Sequence, residues 1–263
     1  MECGWSVFVR HELCRFSLLK GVRMKRILLM VFRNLIHIPY MWIKLCHYAK
    51  HTDRYSESEK YTLIKKIAKW MIEGGRIEVE VYGTEYIPRK NGFMLFPNHQ
   101  GLFDGFALIQ GLGVPFSTVY KKELANIPFV KQILTCVQAI SLDREDIRQG
   151  LKVINRVANE VKEGRNFMIF PEGTRSKSGN QLLDFKGGSF KSATKAKCPI
   201  IPVALIDSYK VFDSNSIKQT TVQVHFLEPL YYEQYKEMKT SQIANIVKAA
   251  ITQTMKKYTC IAS

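Results

Sequence analysis

After Gly75 the chain alternates short apolar runs with amphipathic stretches, and this alternation most constrains its fold. Ile77, Val79 and Val81 alternate with polar residues, the pattern of an edge or half-buried strand. Phe93 to Phe96, Phe116 to Tyr120 and Phe167 to Phe170 are short continuous apolar runs that read as buried strands. Between them, residues 145–163 put Ile147, Leu151, Ile154, Ala158 and Val161 on one helical face. Asp143 is the expected N-cap of that helix and Gly164 its stop. A helix over Gly187 to Lys197, strands at Ile200 to Leu205 and Thr221 to Phe226, and a closing helix over 241–257 complete the pattern. Strands and helices in this order predict a layered α/β domain over residues 76–263, with no internal repeat.

Residues 1–75 have a different character. Residues 27–50 are rich in apolar and aromatic side chains, among them Phe32, Tyr40 and Trp42. A membrane-spanning helix needs about 20 mostly apolar residues. Here Arg33, Asn34, His37, Pro39 and Lys44 interrupt the run. One Arg at the bilayer centre costs ~2.5–3.5 kcal/mol, whereas a strong apolar residue gains only ~0.3–0.6. The expectation is a segment lying in the membrane interface, kinked at Pro39. Ser56-Glu57-Ser58-Glu59 then has the form of a capping box. It opens a helix with Leu63, Ile64, Ile67, Ala68, Trp70 and Met71 at helical spacing, interleaved with Lys60, Lys65, Lys66 and Lys69, and ended by Gly74-Gly75. Residues 24–72 thus predict a helical pair that docks on an anionic membrane. For residues 1–23 two readings stand: native N-terminus, or upstream sequence before a start at Met24-Lys25-Arg26.

Of the 263 residues, 46% are hydrophobic and 24% charged, which excludes a disordered chain and supports one sizeable core. The net charge of +16 calls for an anionic partner, nucleic acid or membrane. The aromatics cluster with Leu and Ile rather than on a basic strand face, and no nucleic-acid motif is present, so membrane is the better reading. Six scattered cysteines without a C-x-x-C pair predict reduced thiols and no cysteine-held zinc.

Two segments carry chemistry. Asn98-His99-Gln100-Gly101-Leu102-Phe103-Asp104 follows a strand and opens a helix at Asp104. Histidine is a good base near neutral pH, and a carboxylate on its second nitrogen fixes the tautomer and stabilises the imidazolium. Taken alone, this spacing also fits a histidine that merely buttresses a turn. The second segment is Phe170-Pro171-Glu172-Gly173-Thr174-Arg175-Ser176. Gly173 lets backbone N–H groups approach a ligand, Arg175 offers a planar fork, and Thr174 and Ser176 add hydroxyls, so the segment reads as a phosphate cradle.

Together these segments resemble the 1-acyl-glycerol-3-phosphate acyltransferases. That family's pattern is N-H-x-x-x-x-D, a K-x-E-L block leading to an aspartate–arginine pair, F-P-E-G-T-R-S, and a V-P-V-A strand. The matching residues are Asn98–Asp104, Lys121-Lys122-Glu123-Leu124 with Asp143-Arg144, Phe170–Ser176, and Ile201-Pro202-Val203-Ala204. The resemblance covers roughly residues 75–230 and implies a mixed sheet flanked by helices. Residue by residue it implies His99 as the base, Asp104 as its orienting partner and Lys121 as stabiliser of the developing oxyanion. It implies Arg144, Glu172, Gly173, Thr174 and Arg175 at the acceptor phosphate, and places Lys186-Gly187-Gly188 near the acyl-donor and helix-entry region with its role open. Gln100 departs from the small or basic residue common at its position.

The implied reaction carries an acyl group from acyl-CoA or acyl-ACP to the sn-2 hydroxyl of 1-acyl-glycerol-3-phosphate and gives phosphatidic acid. It needs no metal or cofactor and implies a peripheral or monotopic enzyme on the cytoplasmic side of the cell membrane. Two rival readings remain: a related acyltransferase using glycerol 3-phosphate or another lysophospholipid, and a basic membrane-binding protein without activity.

Overall fold

The computed structural model describes residues 24–143 and 146–259. Residues 1–23 therefore lie outside the described residues, as does Arg144. Among the described residues three helices come first: α1 (Met24–Arg33), α2 (His37–Lys50) and α3 (Glu57–Gly74). The break falls at residues 34–36 and not at Pro39. Pro39 is the third residue of α2, where an N–H has no intrahelical partner to lose. Asn34 marks the break instead. Its side-chain amide donates to the carbonyls of Met30 (2.9 Å) and Trp70 (3.0 Å), closing α1 and tying it to α3. The expected capping box opens α3, with Ser56 and Glu59 bonded reciprocally.

The sheet has seven strands: β1 (Ile77–Tyr82), β2 (Met94–Pro97), β3 (Ser117–Lys121), β4 (Ile140–Leu142), β5 (Phe167–Met168), β6 (Ile200–Ile206) and β7 (Thr220–Phe226). Their spatial order is β1-β7-β6-β2-β5-β3-β4. All neighbours pair in parallel except β6 and β7, so the sheet is mixed. β1 is an edge strand, as its alternating sequence implies. Six further helices intervene or follow: α4 (Asp104–Gly111), α5 (Val130–Cys136), α6 (Ile147–Lys162), α7 (Lys191–Ala196), α8 (Lys210–Asp213) and α9 (Tyr232–Tyr235). α10 (Thr240–Thr259) closes the described chain. The N-cap of α6 is Asp146, whose carboxylate accepts from Gln149 N at 3.0 Å; Asp143 pairs with Lys122 instead.

Each face of the sheet has its own core, because successive strand residues point to opposite sides. Phe93, Leu95, Ile201, Val203 and Leu205 face α1–α4, against Met41, Leu45, Ile64, Ile67 and Leu108. Met94, Phe96, Ile200, Ala204 and Ile206 face α6, α7 and α10, against Val157, Phe190, Val247 and Ile251. β6 is buried along its full length. Arg26 fastens α1 to the sheet edge: fully buried, it donates to the carbonyls of Gly75 (2.6 Å) and Lys218 (2.9 Å) and to Thr220 Oγ1 (2.8 Å).

The C-terminal helix is held to β1 and β7 by His225. Its buried ring stacks on Tyr82 (4.6 Å between centroids), and Tyr258 lies over it at 4.3 Å. Burial pushes the imidazole down from 6.5 to about 4. The unfolded chain therefore binds a proton that the folded chain refuses, and stability falls as pH drops from 6.5 toward 4. Thermal unfolding followed across that window should show this loss, and His225→Phe should flatten it.

Candidate active site

The C-terminal ends of parallel strands meet at one rim of a sheet. β2, β5, β3 and β4 are successive parallel neighbours. The loop after β2 carries Asn98 to Asp104, and the loop after β5 carries Phe170 to Ser176. β3 ends on Lys121, and β4 ends two residues before Arg144. Segments far apart in sequence are thus gathered by sheet order.

His99 and Asp104 meet. His99 Nδ1 lies 2.7 Å from Asp104 Oδ2. The carboxylate is buried, while the ring keeps 22% of its side-chain surface exposed. Asp104 Oδ2 also accepts from the backbone N–H of Gln100 (2.7 Å) and Gly101 (3.0 Å), and Oδ1 accepts from Ser208 Oγ (2.5 Å). Two backbone amides and a hydroxyl donate to the carboxylate and replace the hydration it loses on burial. It then accepts the Nδ1 proton of His99 and leaves Nε2 as the basic nitrogen. Among the described residues Nε2 has no hydrogen-bond partner, so it is open to a substrate. Phe170 stacks on the ring at 3.9 Å and 17° and fixes its plane.

The loop is held by two buried polar side chains whose roles the motif alone does not disclose. Asn98 clamps β6 with both ends of its amide: Nδ2 donates to Leu205 O (3.0 Å) and Oδ1 accepts from Leu205 N (2.7 Å). Gln100 bridges two further loops, accepting from Ser208 N (2.9 Å) and donating to Asn180 Oδ1 (2.7 Å). Asn180 in turn accepts from Asp207 N (3.0 Å) and donates to Asp207 Oδ1 (2.9 Å). Asp207 sits at φ 63, and Ser208 follows it. Asn180, Asp207 and Ser208 lie 76 to 104 residues from Asp104 in sequence with no motif around them, so only the fold identifies them.

Within Phe170–Ser176 the structure corrects two assignments. Glu172 is buried, and both carboxylate oxygens are taken up by backbone amides: His99 N at 2.7 Å and Leu183 N at 3.0 Å. It joins the histidine loop to the chain beyond the arginine rather than facing an anionic ligand. Burial raises its pKa, and the two amide donors oppose the rise. Ser176 is buried too. Its hydroxyl donates to Gln181 O (2.6 Å), so its proton is not offered to a ligand, and its N–H donates to His99 O (2.8 Å). Glu172 and Ser176 therefore hold the backbone of His99 from both sides.

Gly173, Thr174 and Arg175 remain on the open side of the turn. Gly173 adopts φ 71, a left-handed conformation that favours glycine. Thr174 is exposed and Arg175 half-buried. Asp213, at the end of α8, lies within the field of Arg175; burial raises its carboxyl and Arg175 opposes the rise. Lys121 Nζ pairs with Glu123 Oε1 at 2.9 Å. It stands at the rim, joined to Glu123 and not to the His99–Asp104 pair.

A base with one nitrogen oriented and the other open activates a hydroxyl brought by the substrate, which is the chemistry of an O-acyltransferase. The Acyltransferase family model matches residues 78–206, which span both loops. A 1-acyl-sn-glycerol-3-phosphate acyltransferase of Borreliella burgdorferi is 30% identical over 192 residues, 72% of this chain and 75% of that protein. The enzyme of that name from Escherichia coli is 32% identical over 59% of this chain and 64% of its own length. Among solved structures, the 1-acyl-sn-glycerophosphate (LPA) acyltransferase PlsC of Thermotoga maritima superposes with a TM-score of 0.73 at 21% identity, covering 90% of this chain and 97% of that one. This chain belongs to the 1-acyl-sn-glycerol-3-phosphate acyltransferase family and is an acyltransferase. Membership sets aside the reading as a membrane adaptor without activity.

Glu172→Gln separates holding a loop from binding a ligand. An amide presents a donor where one backbone N–H needs an acceptor, with an expected loss of roughly 1.5–3 kcal/mol. The variant should lose thermal stability and turnover together. An unchanged melting temperature with only the acceptor KM altered would return Glu172 to the ligand.

Proposed function

We propose that this enzyme transfers an acyl group from a thioester of coenzyme A or acyl carrier protein to the sn-2 hydroxyl of 1-acyl-glycerol-3-phosphate, giving phosphatidic acid and the free thiol. The observation that carries the reading is the His99–Asp104 pair at 2.7 Å, braced on both sides of the His99 backbone by the segment that holds Arg175. The acceptor's phosphate binds at Gly173, Thr174 and Arg175, and this places the sn-2 hydroxyl at His99 Nε2. Arg144, which the family resemblance also assigns to that phosphate, is proposed as a further ligand of it. The names of the relatives support this acceptor, while the donor carrier rests on the chemistry of a thioester alone.

The hydroxyl oxygen attacks the thioester carbonyl as His99 Nε2 takes its proton. Asp104 stabilises the imidazolium, and Lys121 stabilises the oxyanion of the tetrahedral intermediate. The C–S bond then breaks, the ester carbonyl re-forms, and the proton on Nε2 passes to the departing thiolate. No acyl-enzyme forms, and the sequence of bonds needs no metal or cofactor.

Such an acceptor resides in a bilayer, so the enzyme must meet it at a membrane surface. Phe32, Leu35, Ile36 and Ile43 on and between α1 and α2 are exposed, Ile36 to 90%. Among the described residues, no helix is long and apolar enough to cross a membrane. Of the four lysines on α3, Lys60 is buried and donates to Thr52 O at 2.9 Å. Lys65, Lys66 and Lys69 remain for anionic lipid, and Lys66 lies over the rings of Trp70 (4.9 Å) and Tyr40 (5.3 Å), next to the apolar face. These features support peripheral docking on an anionic membrane surface, and the cytoplasmic face of the cell membrane is the side proposed.

Two experiments test these readings. Purified enzyme assayed with lysophosphatidate, glycerol 3-phosphate and lysophosphatidylcholine, against both donor types, should prefer lysophosphatidate. His99→Ala should lose at least about 100-fold in turnover with the fold intact, as removal of a general base implies. Near-normal turnover in that variant would refute the mechanism. In vesicle sedimentation, Lys65, Lys66 and Lys69 each changed to Glu should together release the protein from anionic vesicles, since each cation contributes ~1 kcal/mol near such a surface. Retained binding would remove α3 from the docking surface.

A further inference from the structure

We propose that Lys186 is a second cationic ligand for the acceptor's phosphate, placed beside Arg175 across the Gly173 turn; the inference rests on the reaction proposed above. A Cβ built on Gly173 would lie 3.1 Å from Lys186 Nζ, 3.4 Å from Cε and 3.5 Å from Cδ. The end of the lysine side chain therefore runs along the open face of the turn. The left-handed φ of Gly173 and the lysine beside it give two separate reasons for a residue without a side chain at this position.

Lys186 is held there by its backbone. Its N–H donates to Pro171 O at 2.9 Å, and its carbonyl accepts from Ser189 N at 3.0 Å. Residue 186 thus moves with the start of the Pro171–Arg175 turn, although 15 residues separate it from Pro171. The neighbouring acid does not take the lysine, because Asp184 pairs with Lys248 at 2.6 Å. Among the described residues Lys186 Nζ makes no ion pair or hydrogen bond. Lys121, Lys122 and Lys210 contrast with it, being paired with Glu123, Asp143 and Asp207. Lys186 is also exposed, so its ammonium meets an anion without first being desolvated.

A phosphate monoester carries up to two negative charges and three terminal oxygens. Arg175 can engage two oxygens with its planar fork, and a lysine supplies a compact point charge to the third. The Lys186 ammonium, at the turn that carries Arg175, completes such a set. It also gives a role to the Lys186-Gly187-Gly188 segment. Gly187 approaches the N-terminus of α10, where a Cβ would lie 3.1 Å from Ser241 N, so the lysine's backbone is braced from that side too.

Lys186→Met removes the charge and keeps most of the stem. The full chain on mixed vesicles should show a KM for lysophosphatidate raised about tenfold or more, as loss of a charge-assisted contact implies, with donor KM and melting temperature little changed. Lys186→Arg should restore most of the affinity. Line broadening of inorganic phosphate in ³¹P spectra reads the same contact without turnover and should weaken in Lys186→Met. An unchanged acceptor KM and unchanged phosphate broadening would overturn the proposal, as would a rise confined to the donor KM. If the unmodified enzyme fails to acylate lysophosphatidate, the reaction reading fails; the phosphate titration still decides whether Lys186 holds an anion.

Discussion

The site depends on one buried carboxylate. Asp104 is taken almost wholly out of water, which is costly for a charged group unless donors replace the lost hydration. The donors come from His99, Gln100, Gly101 and Ser208, that is, from its own loop and from the chain after β6. Loss of any one would leave a buried acceptor short of a partner. The geometry of His99 is therefore tied to the closure of the whole rim. Glu172 serves the neighbouring loop in the same way, with both oxygens on backbone amides.

That rim exists because the strand order interleaves the sequence. β2 lies between β6 and β5, and β3 follows β5. The histidine loop thus has β6 on one side and the arginine loop on the other. The fully apolar Ile200–Ile206 is more than filling: its Leu205 backbone receives the Asn98 clamp, and it leads into Asp207 and Ser208. The motif that contains this strand acts here as scaffold for the polar loops.

Much of this was legible in the sequence, for identifiable reasons. The long runs with clear periodicity, such as α3, α6, α10, β6 and β7, form elements within a few residues of where the pattern puts them. β4 and α5 escape that reading because three strand residues and seven helix residues are too short for a period to show. Pro39 misled because a proline in the first turn of a helix does not bend it, whereas Asn34 breaks the segment with hydrogen bonds to Met30 O in its own helix and to the distant Trp70 O. Lys60 looked like part of a solvated stripe, yet it is buried on the carbonyl of Thr52. The pairing of His99 with Asp104 was expected from the family resemblance, since the spacing alone also fits a histidine that buttresses a turn. The supporting network of Asn98, Gln100, Asn180, Asp207 and Ser208 was not, because polar side chains in loops carry no periodicity and their partners lie 27 to 108 residues away.

The central claim is that Asp104 holds the proton of His99 on Nδ1 and leaves Nε2 as the base. Nitrogen-15 NMR of the labelled imidazole reads this directly at alkaline pH, where the ring is neutral. The account predicts a protonated Nδ1, an unprotonated Nε2, and loss of that tautomer in Asp104→Asn. A proton resident on Nε2 in the unmodified enzyme would contradict it.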